Sequence, residues 1–234
     1  MTTHDWVIAI DGPAAAGKST VAQRLAERLG VMLFDTGALY RAVSLAALRH
    51  GVAKDDALGL ARLAGEADIA LAPPSAADGR LYDVLLDGED VTWTIRTPEV
   101  GAIVSQVSEH PAVRDALLPL QRAIASSRPV VMVGRDIGTV VVPDAGVKIY
   151  LDAAPEVRAR RRYHESLARG GAGSYDAVLQ ETRQRDATDS GRATAPLRAA
   201  KDAVRINTDD LDIDEVVAQI ERIVHVQTAE SRTL

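Results

Sequence analysis

Near its amino terminus the chain reads Trp6-Val7-Ile8-Ala9-Ile10-Asp11-Gly12-Pro13-Ala14-Ala15-Ala16-Gly17-Lys18-Ser19-Thr20. The apolar run before Asp11 predicts a buried strand, and the pattern of residues 21–29 predicts an amphipathic helix. Between them stands G-x-x-x-x-G-K-S, the spacing of a phosphate-binding loop, in the strand–loop–helix context that this motif requires. The stretch therefore predicts a site for a nucleoside triphosphate.

The chemistry of this loop follows from its residue types. Gly12 and Gly17 let the backbone curl so that successive N–H groups form an anion nest, to which the helix start adds its positive end. We expect Lys18 to reach the β- and γ-phosphates and the Ser19 hydroxyl to ligate Mg²⁺. The predicted ATP-binding loop consists of Gly12, Pro13, Ala14, Ala15, Ala16, Gly17, Lys18, Ser19 and Thr20.

Composition narrows the class of protein. The 234 residues carry a formal net charge of −6 and include no cysteine, which excludes disulfides, thiolate metal sites and cysteine nucleophiles. The acidic balance argues against broad nucleic-acid binding, and neither a membrane-length apolar run nor a signal-peptide pattern occurs. We therefore expect a cytoplasmic monomer without nucleic-acid or membrane partners.

Short apolar runs separated by helical patterns predict a doubly wound α/β fold, whose ligands sit at the carboxyl ends of parallel strands. Each run is too short for a helix and rich in Val or Ile, as buried strands are. The five predicted strands cover residues 6–10, 31–34, 129–133, 147–151 and 203–206.

Residues 69–92 break this alternation. The dipeptides Asp78-Gly79 and Asp87-Gly88 are hairpin signals. They predict a small antiparallel insert, with strands over residues 69–72, 80–86 and 89–92.

Proline positions mark the helices that follow this insert. Thr97 is the predicted cap of one helix, with Pro98 at its first position. Pro111 predicts the start of another helix, which Pro119 is expected to kink or end.

An arginine-rich helical pattern over residues 155–169 precedes the glycine-rich tip Gly170-Gly171-Ala172-Gly173, and a polar helix resumes from Ser174. A glycine-rich tip between two polar helices predicts a mobile flap and not a packed core element.

Arginine occurs in two segments that follow predicted strands and in a third segment of the polar helix after the glycine-rich tip. Exposed arginines usually solvate a helix face, but the carboxyl ends of parallel strands are also where ligands bind. A net-acidic chain thus places guanidinium forks, which bind phosphate bidentately, at the edge that already holds a phosphate loop. The segments concerned are residues 35–41, 134–136 and 185–192.

Taken together, these segments resemble the bacterial cytidylate kinase family. In chain order, the resemblance is carried by residues 12–20, Asp35-Thr36-Gly37-Ala38-Leu39-Tyr40-Arg41, Ser105-Gln106-Val107-Ser108, Gly134-Arg135-Asp136-Ile137-Gly138-Thr139-Val140-Val141, residues 143–153, Arg185-Asp186-x-x-Asp189-x-x-Arg192 and Ala195-Pro196-Leu197. It runs from about residue 7 to residue 224, nearly the whole chain. The predicted β-insert fits, since bacterial members carry a small sheet in the acceptor-binding region.

The resemblance implies one P-loop kinase domain over residues 1–234, with a doubly wound five-stranded parallel sheet, an antiparallel β-insert and a helical lid. Its expected parts are a core (residues 1–35, 127–154 and 190–226), an acceptor-binding region with the insert (36–126) and the lid (155–189).

The implied activity is transfer of the ATP γ-phosphate to CMP or dCMP, with Mg²⁺ as cofactor. By position in the motifs, the resemblance implies that the lid residues Arg158, Arg161 and Arg162 bind ATP. It implies a CMP-binding set of Thr36, Tyr40, Arg41, Ser105, Arg114, Arg135, Asp136, Arg185, Asp189 and Arg192. The implied catalytic set is Lys18, Arg135, Arg185 and Arg192.

Within the CMP-binding set the implied roles differ. Arg41, Arg135, Arg185 and Arg192 would hold the phosphate, Ser105, Arg114 and Asp136 would read cytosine, and Thr36 and Asp189 would face the sugar. Physically, Asp136 can accept from the cytosine amino group, whereas uracil presents a carbonyl there and leaves two acceptors facing each other.

Two other functions stay open from the sequence. One is a P-loop kinase for another small acceptor, such as UMP or shikimate, which would not need the Arg114–Asp136 pair. The other is a nucleotide-binding regulator without turnover. Val133 keeps this second reading open, because family members often have an acidic residue at this position. If that acidic residue helps to position Mg²⁺ through water, then Asp11, Asp35 or another group would have to do so in this chain, or the role would be absent.

Overall fold

A computed structural model describes residue 4 and residues 6–168, 170–192 and 194–231 of the chain. Arg169, where the predicted lid helix ends, lies outside these residues. No helix within the described ranges is long and apolar enough to cross a membrane. The chain divides into two compact units, Met1–Phe34 with Ala125–Leu234 and Asp35–Ile124. The finer division into core, acceptor region and lid stays a prediction.

In chain order the described residues form β1 (Val7–Asp11), α1 (Lys18–Leu29), β2 (Met32–Asp35), α2 (Gly37–His50), α3 (Ala57–Glu66), β3 (Ile69–Ala72), β4 (Asp83–Leu86), β5 (Glu89–Asp90), α4 (Pro98–Val107), α5 (Pro111–Ser127), β6 (Val130–Val133), β7 (Val147–Asp152), α6 (Pro155–Ala168), α7 (Tyr175–Gly191), β8 (Val204–Asn207) and α8 (Ile213–Ser231). A 3₁₀ turn covers Thr94–Arg96, and a single π-helical turn covers Ile137–Val141.

The first unit is built on the five-stranded parallel sheet, in the order β2-β6-β1-β7-β8. β1 lies at its centre, where Ile8 pairs with Val131 on one side and Val147 on the other. This confirms the predicted doubly wound fold and all five strands, with their ends displaced by a residue or so. The central position of β1 puts the residues that follow it at the carboxyl edge of the sheet.

Helices cover the sheet and create the core of the first unit. Ile10, Leu25, Ile149 and Ile220 are buried in one cluster that joins β1, α1, β7 and α8. Burying each such side chain is worth about 1.5–3 kcal/mol. The apolar runs that marked the strands in the sequence are therefore explained by burial on both faces of the sheet.

The second unit contains the antiparallel insert, with strand order β3-β4-β5. Asp87 and Gly88 form the turn between β4 and β5, with φ angles of 52° and 82°, which confirms that hairpin. The other predicted strand pair is also confirmed, since β3 and β4 are antiparallel neighbours with Ile69 opposite Leu86 and Ala72 opposite Asp83, but Asp78-Gly79 lies in a longer connection and not in a tight turn. The Arg80 side chain is bound there by Asp78, Asp83 and Asp90, and β4 begins only at Asp83.

Helices of the second unit follow the proline signals in part. Pro98 and Pro111 are the first residues of α4 and α5, as predicted. Thr97 is the N-cap residue of α4, as predicted, in an extended conformation, although its side chain makes no capping hydrogen bond. Of the two outcomes predicted for Pro119, a kink or the end of the helix, the second is wrong. α5 continues to Ser127, because proline removes only its own N–H donor and the neighbouring Leu117 and Gln121 are buried.

Candidate active site

The loop after β1 has the backbone that a phosphate-binding loop needs. Gly12 has a φ of 148°, and a Cβ atom there would lie 2.0 Å from the carbonyl oxygen of Leu151, so only glycine fits. Gly17 has a φ of 86° and immediately precedes α1. Ala15 also has a positive φ, of 60°, which costs an alanine about 1–2 kcal/mol. The strained curl indicates a backbone shaped for a ligand.

Side chains hold the carbonyl groups of this loop. Lys18 Nζ donates to the Pro13 carbonyl at 2.6 Å, and Arg158 Nη1 donates to the Ala14 carbonyl at 3.2 Å. Thr208 Oγ1, at the end of β8, donates to the Ala16 carbonyl at 3.4 Å. The loop conformation is therefore supported from three directions within the first unit. No local sequence pattern points to Thr208, which lies 192 residues from its partner.

Arg158 is a buried clamp between the lid helices and the loop. Its side chain is 3% exposed. Besides the Ala14 carbonyl, it donates to the Ala153 carbonyl at 2.8 Å and to both carboxylate oxygens of Asp186 at 2.9 and 2.5 Å. Asp186 lies in α7, so one guanidinium joins α6, α7 and the phosphate loop. Of the three predicted lid arginines, Arg158 donates directly to the loop backbone.

The other two lid arginines have different surroundings. Arg161 donates to the Thr208 hydroxyl at 3.1 Å and to the Thr208 carbonyl. Arg162 pairs with Glu181 of α7 at 2.9 Å, and its Nη1 is buried without a hydrogen-bond partner among the described residues. α6 and α7 are further joined by the Arg183–Glu156 pair at 2.7 Å. The predicted helical hairpin thus exists as a packed pair of helices.

Asp189 is the centre of an arginine cluster in the first unit. Arg135 Nε donates to one of its carboxylate oxygens at 2.9 Å and Arg192 Nη2 donates to the other. Burial raises the pKa of Asp189, but the charges of Arg135, Arg192 and Arg185 outweigh burial and hold the pKa below its usual range. Arg192 Nε is buried without a hydrogen-bond partner among the described residues. The cluster carries more guanidinium charge than Asp189 neutralises.

Asp136 lies next to this cluster and is 4% exposed. It directly follows Arg135 after β6 and directly precedes the π-turn, Ile137–Val141. π-helical turns are rare and occur frequently at functional sites. Arg135, Asp136, Arg185, Asp189 and Arg192 therefore belong to the first unit, together with the predicted loop and the three predicted lid arginines.

The second unit holds Arg114 and Tyr40 together. Arg114 is 7% exposed, donates to the Ser108 carbonyl at 3.2 Å and stacks over the Tyr40 ring with its Cζ 5.3 Å from the ring centroid. Gln121 Nε2 donates to the Tyr40 hydroxyl at 3.4 Å. The buried Gln121 amide thus holds the Tyr40 ring, and the cation–π contact with that ring orients the Arg114 guanidinium. The sequence did not single out Gln121.

The remaining predicted residues of the second unit lie on α2 and α4. Arg41 is partly buried and donates to the Ile95 carbonyl at 3.2 Å. Burial lowers its pKa, and the nearby charge of Arg96 lowers it further. Thr36 is buried and directly precedes the first residue of α2. Ser105 lies in α4, and its carbonyl oxygen accepts a hydrogen bond from the Ser108 hydroxyl at 2.8 Å. Arg96, which the sequence analysis did not name, adds to the positive charge around Arg41.

The donor set at the loop suits a magnesium ion that is held mainly by substrate. Ser19 lies exposed in the first turn of α1 and offers a hydroxyl oxygen. No group of three or more His, Asp or Glu side chains in the described part of the chain forms a metal cage. Magnesium commonly binds through one or two protein oxygens, substrate phosphates and water, so these residues fit it.

Comparison with known proteins assigns the family. The cytidylate kinase family model matches residues 8–226. A cytidylate kinase from Geobacter sp. (strain M21) is 47% identical over 224 residues, which cover 96% of this chain and 94% of the relative. A cytidylate kinase from Pelotomaculum thermopropionicum is 52% identical over 213 residues, covering 91% and 93%.

Solved structures with a similar fold are more distant. A shikimate kinase from Bacteroides thetaiotaomicron aligns over 94% of this chain and 98% of its own, with 16% identity and a TM-score of 0.45. A likeness at that level carries no argument about the acceptor. The family model and the two relatives span nearly the whole chain. They show that the chain belongs to the cytidylate kinase family.

Proposed function

We propose that this protein transfers the γ-phosphate of ATP to CMP or dCMP, giving ADP and CDP or dCDP. An oxygen of the acceptor phosphate forms a bond to the γ-phosphorus as the bond to the β–γ bridging oxygen breaks. The acceptor phosphate is already an anion at neutral pH, so no general base is assigned. The observation that carries the proposal is the excess of guanidinium groups around Asp189, in the same unit as a strained phosphate loop.

On the donor side, the loop residues 12–20 bind the ATP phosphates through their N–H groups, and Lys18 exchanges the Pro13 carbonyl for the β- and γ-phosphates. Arg158 keeps the loop in shape while Arg161 and Arg162 close over ATP. Ser19 holds Mg²⁺, which supplies charge neutralisation of the β- and γ-phosphates when bound. Together these residues hold the ATP triphosphate in position before the reaction begins.

On the acceptor side, Arg135, Arg185 and Arg192 bind the CMP phosphate together with Arg41. The reaction needs little covalent chemistry, and its rate depends on holding two anions in line and neutralising their charge. Asp189 supports this arrangement, because its two oxygens fix the directions of Arg135 and Arg192. The same Arg135, Arg185 and Arg192, with Lys18, form the catalytic set that stabilises charge on the transferred group.

Base recognition is assigned to Ser105, Arg114 and Asp136, and sugar contacts to Thr36 and Asp189. Asp136 accepts from the cytosine amino group, and the stacked Arg114 donates to the ring acceptors. UMP would leave the buried Asp136 carboxylate facing a carbonyl, and sites of this kind discriminate by factors on the order of 10⁴. We further propose that the enzyme acts as a monomer in the cytoplasm.

The experiment that tests the proposal is a coupled ADP-release assay with ATP and Mg²⁺ against CMP, dCMP, UMP and shikimate. We expect turnover with CMP and dCMP and much slower turnover with the other two. Preferred turnover of UMP or shikimate, or nucleotide binding without ADP release from any acceptor, would overturn it. Lys18→Ala is the matched control, which we expect to lose about 10³-fold or more in kcat while CMP binding stays largely intact.

A further inference from the structure

One buried carboxylate at the end of β1 has no part in the mechanism above. Asp11 is 4% exposed, and its chain continues directly into Gly12 of the phosphate loop. Its Oδ1 accepts from the Ile137 N–H and its Oδ2 from the Gly138 N–H, both at 2.8 Å. The two donors lie 126 and 127 residues away in sequence. Both carboxylate oxygens of Asp11 thus accept hydrogen bonds from the first two residues of the π-turn.

The π-turn is held from its other side as well. A Cβ atom on Gly138 would lie 3.2 and 3.3 Å from two side-chain carbons of Lys148 and 3.5 Å from Asp11 Oδ2, so the residue has little room. Lys148 Nζ donates to the Pro143 carbonyl just beyond the turn and pairs with Asp202 at 2.6 Å. The turn therefore sits between a carboxylate on β1 and a lysine on β7.

We propose that Asp11 is a positioning residue that fixes Arg135 and Asp136 for the acceptor by anchoring the next two residues, Ile137 and Gly138. The inference rests on the proposed function, because it concerns how CMP is selected over UMP. The Ile137 N–H belongs to the peptide group that joins Asp136 to Ile137, so a carboxylate 2.8 Å from it restrains the orientation of that peptide group. One side chain thereby ties the acceptor-reading residues to the strand that leads into the phosphate loop.

The charge state of Asp11 gives this inference a second readout. Burial raises the pKa of Asp11 to about 6, although its two backbone hydrogen bonds oppose that rise. Asp136 raises the pKa further and Lys18 lowers it, while Lys148 and Tyr150 face it from β7. Below about pH 6 the protonated acid keeps one good acceptor for two N–H donors. Selectivity for CMP should then fall.

The test compares Asp11→Asn with the wild type in kcat/KM for CMP and for UMP, and with Asp83→Asn as control. Asp83 is equally buried and accepts a backbone N–H from Ser75, but it lies in the β-insert. We expect Asp11→Asn to lower the CMP:UMP ratio about tenfold, mainly through KM for the acceptor, because its amide turns one acceptor into a donor facing an N–H. We expect KM for ATP to change less than twofold, and Asp83→Asn to keep the ratio.

The pH dependence of the same ratio isolates Asp11. The phosphate ionises alike in CMP and UMP, so its titration cancels in the ratio of the two kcat/KM values. We expect the wild-type ratio to fall between pH 7.5 and pH 5.5 and the Asp11→Asn ratio to stay flat. Parallel profiles in the two proteins, or an unchanged ratio at pH 7.5, would overturn the inference.

A second variant covers the case in which Asp11→Asn does not fold. Gly138→Ala keeps the carboxylate and displaces the turn through the crowded Cβ position, so it should lower the CMP:UMP ratio in the same direction. An unchanged ratio in Gly138→Ala would then count against the inference. If the wild type itself does not phosphorylate CMP, the proposed function has failed, whereas an active wild type with unaffected variants means that only the role of Asp11 has failed.

Discussion

Two arginine–aspartate clusters, one in each unit, use the same residue types in opposite proportions. In the β-insert, Arg80 is surrounded by Asp78 at 2.9 Å, Asp83 at 2.8 Å and Asp90 at 2.6 Å. At the carboxyl edge of the parallel sheet, Asp189 is shared by Arg135 and Arg192, with the charge of Arg185 nearby. One cluster has more acid than base, and the other has more base than acid.

The difference separates a structural cluster from an anion site. The Arg80 guanidinium is bound by three carboxylates, and Trp93 Nε1 donates to Asp78 at 2.8 Å, so that cluster closes on itself. The Asp189 cluster is open, because it keeps surplus positive charge and Arg192 Nε is buried without a hydrogen-bond partner in the described ranges. Surplus buried charge of this kind is expensive without a counter-ion, and a phosphate would supply one.

Removing one arginine from each cluster should have the largest and most different effects. Arg192→Ala is expected to reduce kcat/KM for CMP by about 10²–10³-fold, because a charge-assisted contact to the phosphate is lost. Arg80→Ala should leave kcat/KM within about twofold and lower the melting temperature instead, by about 2–4 °C for each kcal/mol lost in a chain of this size. Steady-state kinetics and calorimetry of both variants measure the contrast.

Similar behaviour of Arg192→Ala and Arg80→Ala would contradict the distinction between an anion site and a structural cluster. Equal losses of activity would mean that the Asp189 cluster is as structural as the Arg80 cluster. A stable and fully active Arg192→Ala enzyme would remove Arg192 from the acceptor site.

Replacing one aspartate near each cluster by asparagine should change the enzyme less than removing an arginine does. Asp136→Asn is expected to reduce the CMP:UMP ratio of kcat/KM by about 10–100-fold, because the amide can pair with the uracil carbonyl as well as a carboxylate pairs with the cytosine amino group. Asp90→Asn, in the Arg80 cluster, should keep the ratio. Competition assays with both nucleotides report it directly, and an unchanged ratio in Asp136→Asn would exclude it from base reading.

Acid should weaken the Arg80 cluster in a defined pH window. Hydrogen bonds from Thr92 and Arg80 lower the pKa of Asp90 to about 2, and Arg80 also holds the pKa of Asp78 and Asp83 below the ordinary value. Groups with a depressed folded-state pKa stabilise the protein above their unfolded value, near 3.9, and lose that contribution as pH falls. We therefore expect the melting temperature of the wild type to fall between about pH 4 and pH 2 more steeply than that of Arg80→Ala. Parallel slopes would show that Arg80 does not set these pKa values.

Ligand protection of the lid is the smallest expected effect. The glycine-rich segment 170–173 connects α6 and α7, whose pairing rests on the Arg158–Asp186, Arg162–Glu181 and Arg183–Glu156 bridges. We expect limited proteolysis near this segment to slow several-fold when ATP and CMP are both bound and to stay unchanged at the insert connection 73–82. Equal rates with and without nucleotides would argue against lid closure.

The sequence was sufficient for the parts of the fold that local patterns encode. Apolar runs placed the five strands, the Asp87-Gly88 turn placed one hairpin, and Gly12 and Gly17 placed the phosphate loop. These features depend on neighbours along the chain. The tight turn predicted at Asp78-Gly79 is wrong, because Arg80 is bound by Asp78, Asp83 and Asp90 and β4 begins only at Asp83.

Side-chain networks of the candidate site could not be predicted in this way. The sequence and the family resemblance assigned Arg158 to ATP and gave Asp186 no role, whereas the structure joins the two and links Arg158 to the loop backbone. Asp11 anchors amides that are more than 100 residues away, and Thr208 supports Ala16 from β8. Partners so far apart in sequence are brought together only by the tertiary fold, which no local pattern records.

The most direct test of the central claim is a crystal structure of the enzyme with CMP and a non-hydrolysable ATP analogue. The account predicts the polyphosphate in the nest of residues 12–20 and the guanidinium groups of Arg135 and Arg192 within hydrogen-bond distance of the CMP phosphate. A CMP phosphate bound away from both arginines, with their contacts to Asp189 unchanged, would contradict it.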